Sequence, residues 1–426
     1  MTLETTGSEP DEMPAGVAGI MLRAEGEVLG SAYEGIESGT RDYRRAGIAL
    51  FLAGFATFSL LYCVQPLLPE FTRDYHVSPA TSSLALSLTT GALALAIFAS
   101  GAVSQLLPRR PLMFGSMALA ALCNLAAAAA PTWTLLLLAR LFEGVALGGV
   151  PAVAMAYLGE EMHARDLGKA MGRYVGGTAF GGMMGRVGMG LLTEFTSWQV
   201  AMAALGGLGI LAAVGFAMLL PPSRRFAVQK SFEPAYHARA WGGHLNHRYL
   251  PRLFGVGFVL TSVFVVVFNY AGFRLSAPPY SLGATAISLI FLSYVSGIFV
   301  SPWAGQLADR WGRRWPLAGA LALMALGSLV TLGASLALIA LGILLVTIGF
   351  FAAHAVASSW VGRLGGKAKS HATSLYLLAY YLGSSVTGSI GGWVWQHGAW
   401  PGVVALTTAL AGGGVALAIS IRSEGA

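Results

Sequence analysis

Long apolar stretches separated by short polar ones organise most of this chain. Apolar runs occupy residues 46–66, 82–104, 112–129, 133–158, 169–192 and 198–220. A polar stretch at 221–249 interrupts the series, and six more runs follow at 250–272, 283–304, 315–333, 336–361, 370–393 and 399–421. Each is close to the about 20 residues that a helix needs to cross about 30 Å of hydrocarbon. Backbone in hydrocarbon must satisfy its own hydrogen bonds, which favours helices over open strands. The pattern therefore predicts an all-α membrane protein with twelve transmembrane helices. It divides the chain into a disordered acidic tail (1–45), a first six-helix bundle (46–220), a linker (221–249), a second bundle (250–421) and a short end (422–426).

Composition agrees with the pattern. The chain is 55% hydrophobic and only 11% charged, whereas a soluble domain carries about 25% charged residues. It cannot supply a charged skin and must meet lipid. Cys63 and Cys123 both fall inside apolar runs and say nothing about redox compartment.

Charge then orients the runs. Residues 1–40 hold eight acids and one base, Arg23. Of the 26 Lys and Arg, Arg23 lies in the tail, Arg140 and Arg186 within runs, and Arg73 and Arg274 in loops on the side away from the termini; the other 21 share the side of both termini. Such a bias places basic loops and both termini in the cytoplasm, in a bacterial-type inner membrane. Spread over short loops, these bases are not a nucleic-acid signal. Trp133, Trp198, Trp393, Trp395 and Trp400 lie near run ends, as an interfacial belt requires.

Two stretches repeat. "GAVSQLLPRRP" (101–111) and "GQLADRWGRRWP" (305–316) are 204 positions apart, and each is the second cytoplasmic loop of its half. "TSWQVAMA" (196–203) and "GAWPGVVA" (398–405) align Trp198 with Trp400 at an offset of 202. Similar offsets at distant places indicate an internal duplication. Two pseudo-symmetric six-helix halves are a transporter architecture with substrate bound between the halves near the midplane.

The second loop copy, with Gly305, Leu307, Asp309, Arg310, Gly312, Arg313 and Arg314, resembles the signature of the major facilitator superfamily, G-x-L-a-D-r-x-G-r-k. The resemblance covers about residues 46–421. Within the family, "LLYCVQPLLPEF" (61–72), "AAHAVASSWVG" (352–362) and "SLYLLAYYLGSS" (374–385) look most like the YnfM-type bacterial permeases. The resemblance implies a secondary transporter working by alternating access. In the loop, a carboxylate at a helix end can hold arginines and cap a neighbouring helix start, closing the cytoplasmic side in one state. Alternatively, the arginines only fix topology. The clamp is expected at Asp309 and the topological role in the first copy, where Gln105 replaces the Asp and Pro108 the second glycine.

Ionisable residues inside the runs are the next candidates, because such groups are rare, costly and often functional. Arg140 and Glu143 are three apart on one helical face. Arg140 followed by Gly144 resembles the family's helix-4 motif, R-x-x-q-G. Arg186, on the fifth run, is expected at a similar depth, so two arginines and one carboxylate could meet. Either Glu143 exchanges a proton while Arg140 and Arg186 tune it, or the three form a permanent tether. Either arginine could also touch substrate. Gly177, Gly181, Gly182 and Gly185 resemble the exporter motif g-x-x-x-G-P-x-x-G-G, with Gly182 for the proline and Arg186 for the last glycine. The alternative is close packing through small residues.

Tyr376, Tyr380 and Ser384 form a polar stripe at a spacing of four. With Tyr62, Gln65, Asn269 and Tyr270 they are candidates for cavity lining or for bonds between helices. His354 reads as a packed histidine. No phosphate-binding loop, zinc-protease motif, paired Cys/His spacing or nucleophile turn is present in the sequence, so an enzyme and ATP-driven transport are not expected. No metal or cofactor is expected. The partners are a small-molecule substrate, protons and the lipid bilayer, and a monomer suffices. The expected function is proton-coupled export of a small organic solute. The alternatives are a symporter or uniporter for uptake, such as of a sugar or organic acid, and a transport-inactive sensor or assembly partner.

Overall fold

The computed structural model describes residues 35–103, 107–225 and 234–421. Helices make up nearly all of it, and the described residues contain no sheet, only an isolated bridge between Ile36 and Met162. The first half contains α1 (Arg41–Asp74), α2 (Leu84–Val103), α3 (Arg109–Ala128), α4 (Trp133–Glu161), α5 (Leu167–Phe195) and α6 (Trp198–Leu219). A linker helix, Pro234–Leu245, precedes the second half. There follow α7 (Leu250–Ser276), α8 (Ala284–Trp311), α9 (Arg314–Val330) and α10 (Leu336–Leu364). The last helical segment, Lys369–Ser420, breaks at Ala399, where φ is 46° and ψ −151°. It is two rods, α11 (369–398) and α12 (400–420).

Nine helical segments among the described residues are long and apolar enough to cross a membrane. Splitting Lys369–Ser420 adds a tenth rod. Arg314–Val330 is apolar but short, and α5 is long but diluted by glycine and charge. Together these rods account for the twelve apolar runs. Side chains that face outward are apolar: Leu95, Phe142, Leu211, Phe299 and Trp303 are all exposed. Water would not tolerate so continuous a surface, and lipid does.

Local chemistry sets the helix ends. Thr40, Thr132, Ser197 and Ser335 stand at N-caps, and each side chain accepts the N–H three residues on. Pro66 has no N–H to give. There α1 leaves regular geometry, passing through a turn at Cys63–Val64 and one 3₁₀ turn, Gln65–Leu67.

Packing repeats between halves. α1 lies on α5 and α7 on α11; α3 meets α4 and α6, and α9 meets α10 and α12. Between halves, α2 packs along α11, and α5 meets the first turns of α8. The last turns of α1 meet α7, where Pro69 lies beside Gly272. Glu194 accepts the Thr285 N–H at 3.0 Å across this seam, and Ser385 donates to the Ser87 carbonyl at 2.7 Å. These joins concentrate on the side away from the termini.

The tail expected over 1–45 needs correction at its end; residues 1–34 lie outside the described structure. Ile36 is buried and exchanges backbone hydrogen bonds with Glu161 and His163, and helix begins at Arg41. Likewise the linker is not wholly irregular. Its helix sets Trp241 against Phe98 of α2, ring centroids 4.3 Å apart, and His237 against His371 of α11, 2.9 Å between ring nitrogens.

Candidate functional site

Two buried arginines organise the first bundle differently. Arg140, on α4, is fully buried. It donates to the Ala85 carbonyl on α2 (3.1 Å) and to the Leu60 (3.1 Å) and Leu61 (2.8 Å) carbonyls at the broken end of α1. It also meets Glu143 Oε2 at 2.7 Å. The arginine thus supplies donors to the last carbonyls before the Cys63–Val64 turn, and ties three helices at once. Glu143 Oε1 has no hydrogen-bond partner in the structure.

Arg186, on α5, turns away from this pair. It donates Nε–H to Gln65 Oε1 at 2.6 Å and an Nη1 hydrogen to its own Gly182 carbonyl at 2.5 Å. Its guanidinium carbon lies 4.0 Å from the Tyr62 ring centroid, 4.9 Å from Tyr294 and 5.1 Å from Phe291. The expected meeting of Arg140, Glu143 and Arg186 is therefore corrected: similar depth does not put side chains on facing sides of their helices. Gln65 then donates Nε2–H to Asn269 Oδ1 on α7 at 2.7 Å, so a polar line runs from α5 through α1 into the other half.

The other candidates separate into packing and seam. Tyr270 donates to the Gly388 carbonyl at 2.6 Å, joining α7 to α11. Tyr376 meets His354 Nδ1 at 3.0 Å and packs on Gly257. Tyr380 packs tilted against His354, centroids 4.9 Å apart. Gly177, Gly181 and Gly185 lie against Phe51, Phe55 and Ser59 of α1; a Cβ on Gly185 would stand 2.7 Å from the Ser59 Cα. Four-residue steps on both helices make this a close-packed groove. Gly182 is not in the groove but receives Arg186. Among the described residues, no cluster of three or more metal-ligating side chains occurs.

The repeated loops differ sharply. In the first copy Arg109, at the start of α3, forms a forked ion pair with Glu160 at the end of α4 (Nη2–Oε1 2.6 Å, Nε–Oε2 3.2 Å). Next to it, Glu161 accepts the Arg224 and Arg225 backbone N–H groups, both at 2.8 Å. In the second copy, among the described residues, Asp309 pairs only with Arg313, four residues along at 3.1 Å, and its side chain is 70% exposed. Gly312, at φ 78°, makes the turn between them. Burial, then the Arg363 guanidinium, push Arg313 below the usual arginine value, while Asp309 pulls the other way. Arg310 and Arg314 complete the basic face. In this conformation the ion pair between helix ends lies in the first copy, within one bundle, while Asp309 holds Arg313 of its own loop; Gln105 lies outside the described residues. Glu160, Phe291 and Tyr294 were not among the sequence candidates.

Comparison with known proteins adds context. Residues 50–297 match the family profile described as Major Facilitator Superfamily. A protein of Bacillus subtilis (strain 168) described as "Uncharacterized MFS-type transporter YybF" is 45% identical over 373 residues, 88% of this chain and 92% of that protein. The "Inner membrane transport protein YnfM" of Escherichia coli (strain K12) is 42% identical over 368 residues, 86% of this chain and 88% of its own. Among solved structures, the human organic anion transporter MFSD10 (TETRAN) superposes with a TM-score of 0.66 at 17% identity, covering 88% of this chain and 99% of that one. At that identity the likeness is one of fold.

Proposed function

This chain belongs to the major facilitator superfamily of membrane transporters, and from that premise we propose secondary active transport of a small organic solute by proton-coupled export. The observation that carries the reading is the uneven seam: two bundles with the same internal packing, joined chiefly on the side away from the termini. Such a seam lets the halves rock about a central site. The basic loops assign the terminus side to the cytoplasm, and the name of the E. coli relative supports an inner membrane. Glu143 supports the coupling. One oxygen is held by Arg140, and the other is open to a proton. Protonating it releases Arg140's charge partner at the broken end of α1, where a small change shifts three helices. Arg186, standing where the exporter motif has glycine, favours the second reading, uptake by symport or uniport.

The test is Glu143→Gln in proteoliposomes. Gradient-driven movement should fall at least tenfold while solute exchange without a gradient persists. A variant that still pumps uphill makes Glu143 a structural tether.

A further inference from the structure

Arg186 is a buried cation for which the described residues supply no anion. Arg140 has Glu143. Arg186 is 1% exposed, and no Asp or Glu pairs with it among the described residues. A guanidinium carries five N–H donors, and the protein accepts from two nitrogens, Nε and Nη1. What remains is Nη2 with both hydrogens and one hydrogen of Nη1, enough to bind a carboxylate with two hydrogen bonds. Aromatic faces at Tyr62, Tyr294 and Phe291 soften the isolation of the charge, but they do not neutralise it.

A second observation points the same way. Arginine can only donate, so it fixes Gln65 with Oε1 towards it; Gln65 must then present Nε2 to Asn269 Oδ1. That leaves Asn269 Nδ2 as the end of the line. It is buried and has no acceptor, and Ser87 Oγ, across Gly388, is also without a partner. The whole line is polarised towards donation and lacks an acceptor at its end.

The cage spans the seam. Arg186 and Tyr62 come from the first half, Phe291 and Tyr294 from the second. The latter two lie on a 3₁₀ stretch of α8, Leu289–Val295, in which side chains three apart eclipse. That geometry sets both rings over one guanidinium, and rocking of the halves lifts them off it.

We propose that Arg186 is the anchor for a monovalent organic anion with an apolar, preferably aromatic, body, its carboxylate on the free guanidinium hydrogens and its ring between Tyr62, Phe291 and Tyr294. A dianion would bring a net negative charge into an apolar cage and is excluded by its desolvation cost. The proposal deepens the transport reading, since it needs the halves to part, but it does not need proton coupling.

The test is binding to the purified full-length protein, read as ligand-induced thermal stabilisation and by calorimetry. The probes are benzoate, 3-phenylpropanoate and indole-3-acetate, each beside its own carboxamide, with acetate as the ring-free control. At least one aromatic anion should bind ten-fold or more tighter than its amide and than acetate. Arg186→Lys, which keeps the charge and loses the guanidinium, should weaken that anion at least ten-fold. Phe291→Leu should weaken the aromatic anion more than it weakens acetate, cutting its advantage. If no anion outbinds its own amide, or Arg186→Lys binds as well as the wild type, the proposal is overturned. If Arg186→Lys does not fold, the Phe291→Leu and carboxamide comparisons decide. Proton-driven movement of neutral or cationic solutes with no anion binding would sink this proposal and leave the transport reading intact. Arg186-dependent anion binding without gradient-driven movement would do the reverse.

Discussion

The two copies of the basic loop have similar sequences and opposite surroundings. In the first, Arg109 runs into Glu160 at the end of α4; in the second, Arg313 lies beside Arg363 at the end of α10. Glu160 and Arg363 are 203 positions apart, between the offsets of 202 and 204 that mark the duplication. The same place in the repeat therefore holds a carboxylate in one half and a guanidinium in the other. A basic loop becomes a clamp only if the helix end facing it is acidic. The first bundle is laced on its terminus side by Arg109–Glu160, by Glu161 under the linker backbone, and by Ile36 and Ser38 pinned to the α4–α5 turn. The second has no such ion pair between helix ends among the described residues: its loop carries one exposed pair within a single turn, and its terminus side is held by neutral contacts such as His237–His371 and by Arg252 on the Ser420 carbonyl.

Three measurements test this contrast. The largest effect belongs to Glu160→Gln, which leaves the buried Arg109 short of its charge partner. It should cost about 2 kcal/mol, the range of a charged hydrogen bond, and lower the thermal midpoint in detergent; Asp309→Asn should change stability by no more than about 0.5 kcal/mol, as exposed pairs do. Equal losses would erase the difference between the loops. A smaller gain is expected from Arg363→Glu, which gives Arg313 the partner its counterpart has. It should add up to about 1 kcal/mol, and a double-mutant cycle with Arg313→Ala should show the coupling to be new. The smallest effect concerns Asp166. Accepting the Ser38 N–H holds its carboxyl below the usual value of 3.8. Its contribution is complete above that value and is lost as pH falls through the lower folded one. Amide exchange at Ser38 should quicken only in acid, and Asp166→Asn should show the faster exchange at neutral pH.

Much of this architecture was legible because hydrocarbon imposes one rule on every span. The twelve apolar runs gave the rods and their order, and the doubled loop gave the halves. The break at Ala399 falls where the runs ending at 393 and starting at 399 leave a gap, with Gly398 before it and Pro401 after it. Within the site, Arg140 and Glu143 were readable from their spacing on one face. Arg186 was not: depth along a helix follows from counting residues, but azimuth depends on which neighbour it faces. Phe291 and Tyr294 gave no signal, because aromatic residues in an apolar run look like core, and the 3₁₀ turn that aligns them has no sequence mark. Glu160 was within reach, since projecting Arg363 back by the repeat offsets of 204 and 202 brackets it between Gly159 and Glu161.

If Arg186 is the anchor proposed above, the lone guanidinium at the seam would make the empty carrier answer to voltage. On the proposed rocking, the membrane field would shift past Arg186 as though one positive charge had crossed. Each elementary charge taken through the full field is worth about 2.3 kcal/mol per 100 mV. In a cell whose interior is negative, that bias would hold an unloaded site open to the cytosol. A bound carboxylate cancels it, so the loaded carrier would turn outward freely, and the resting potential itself would act as a return spring.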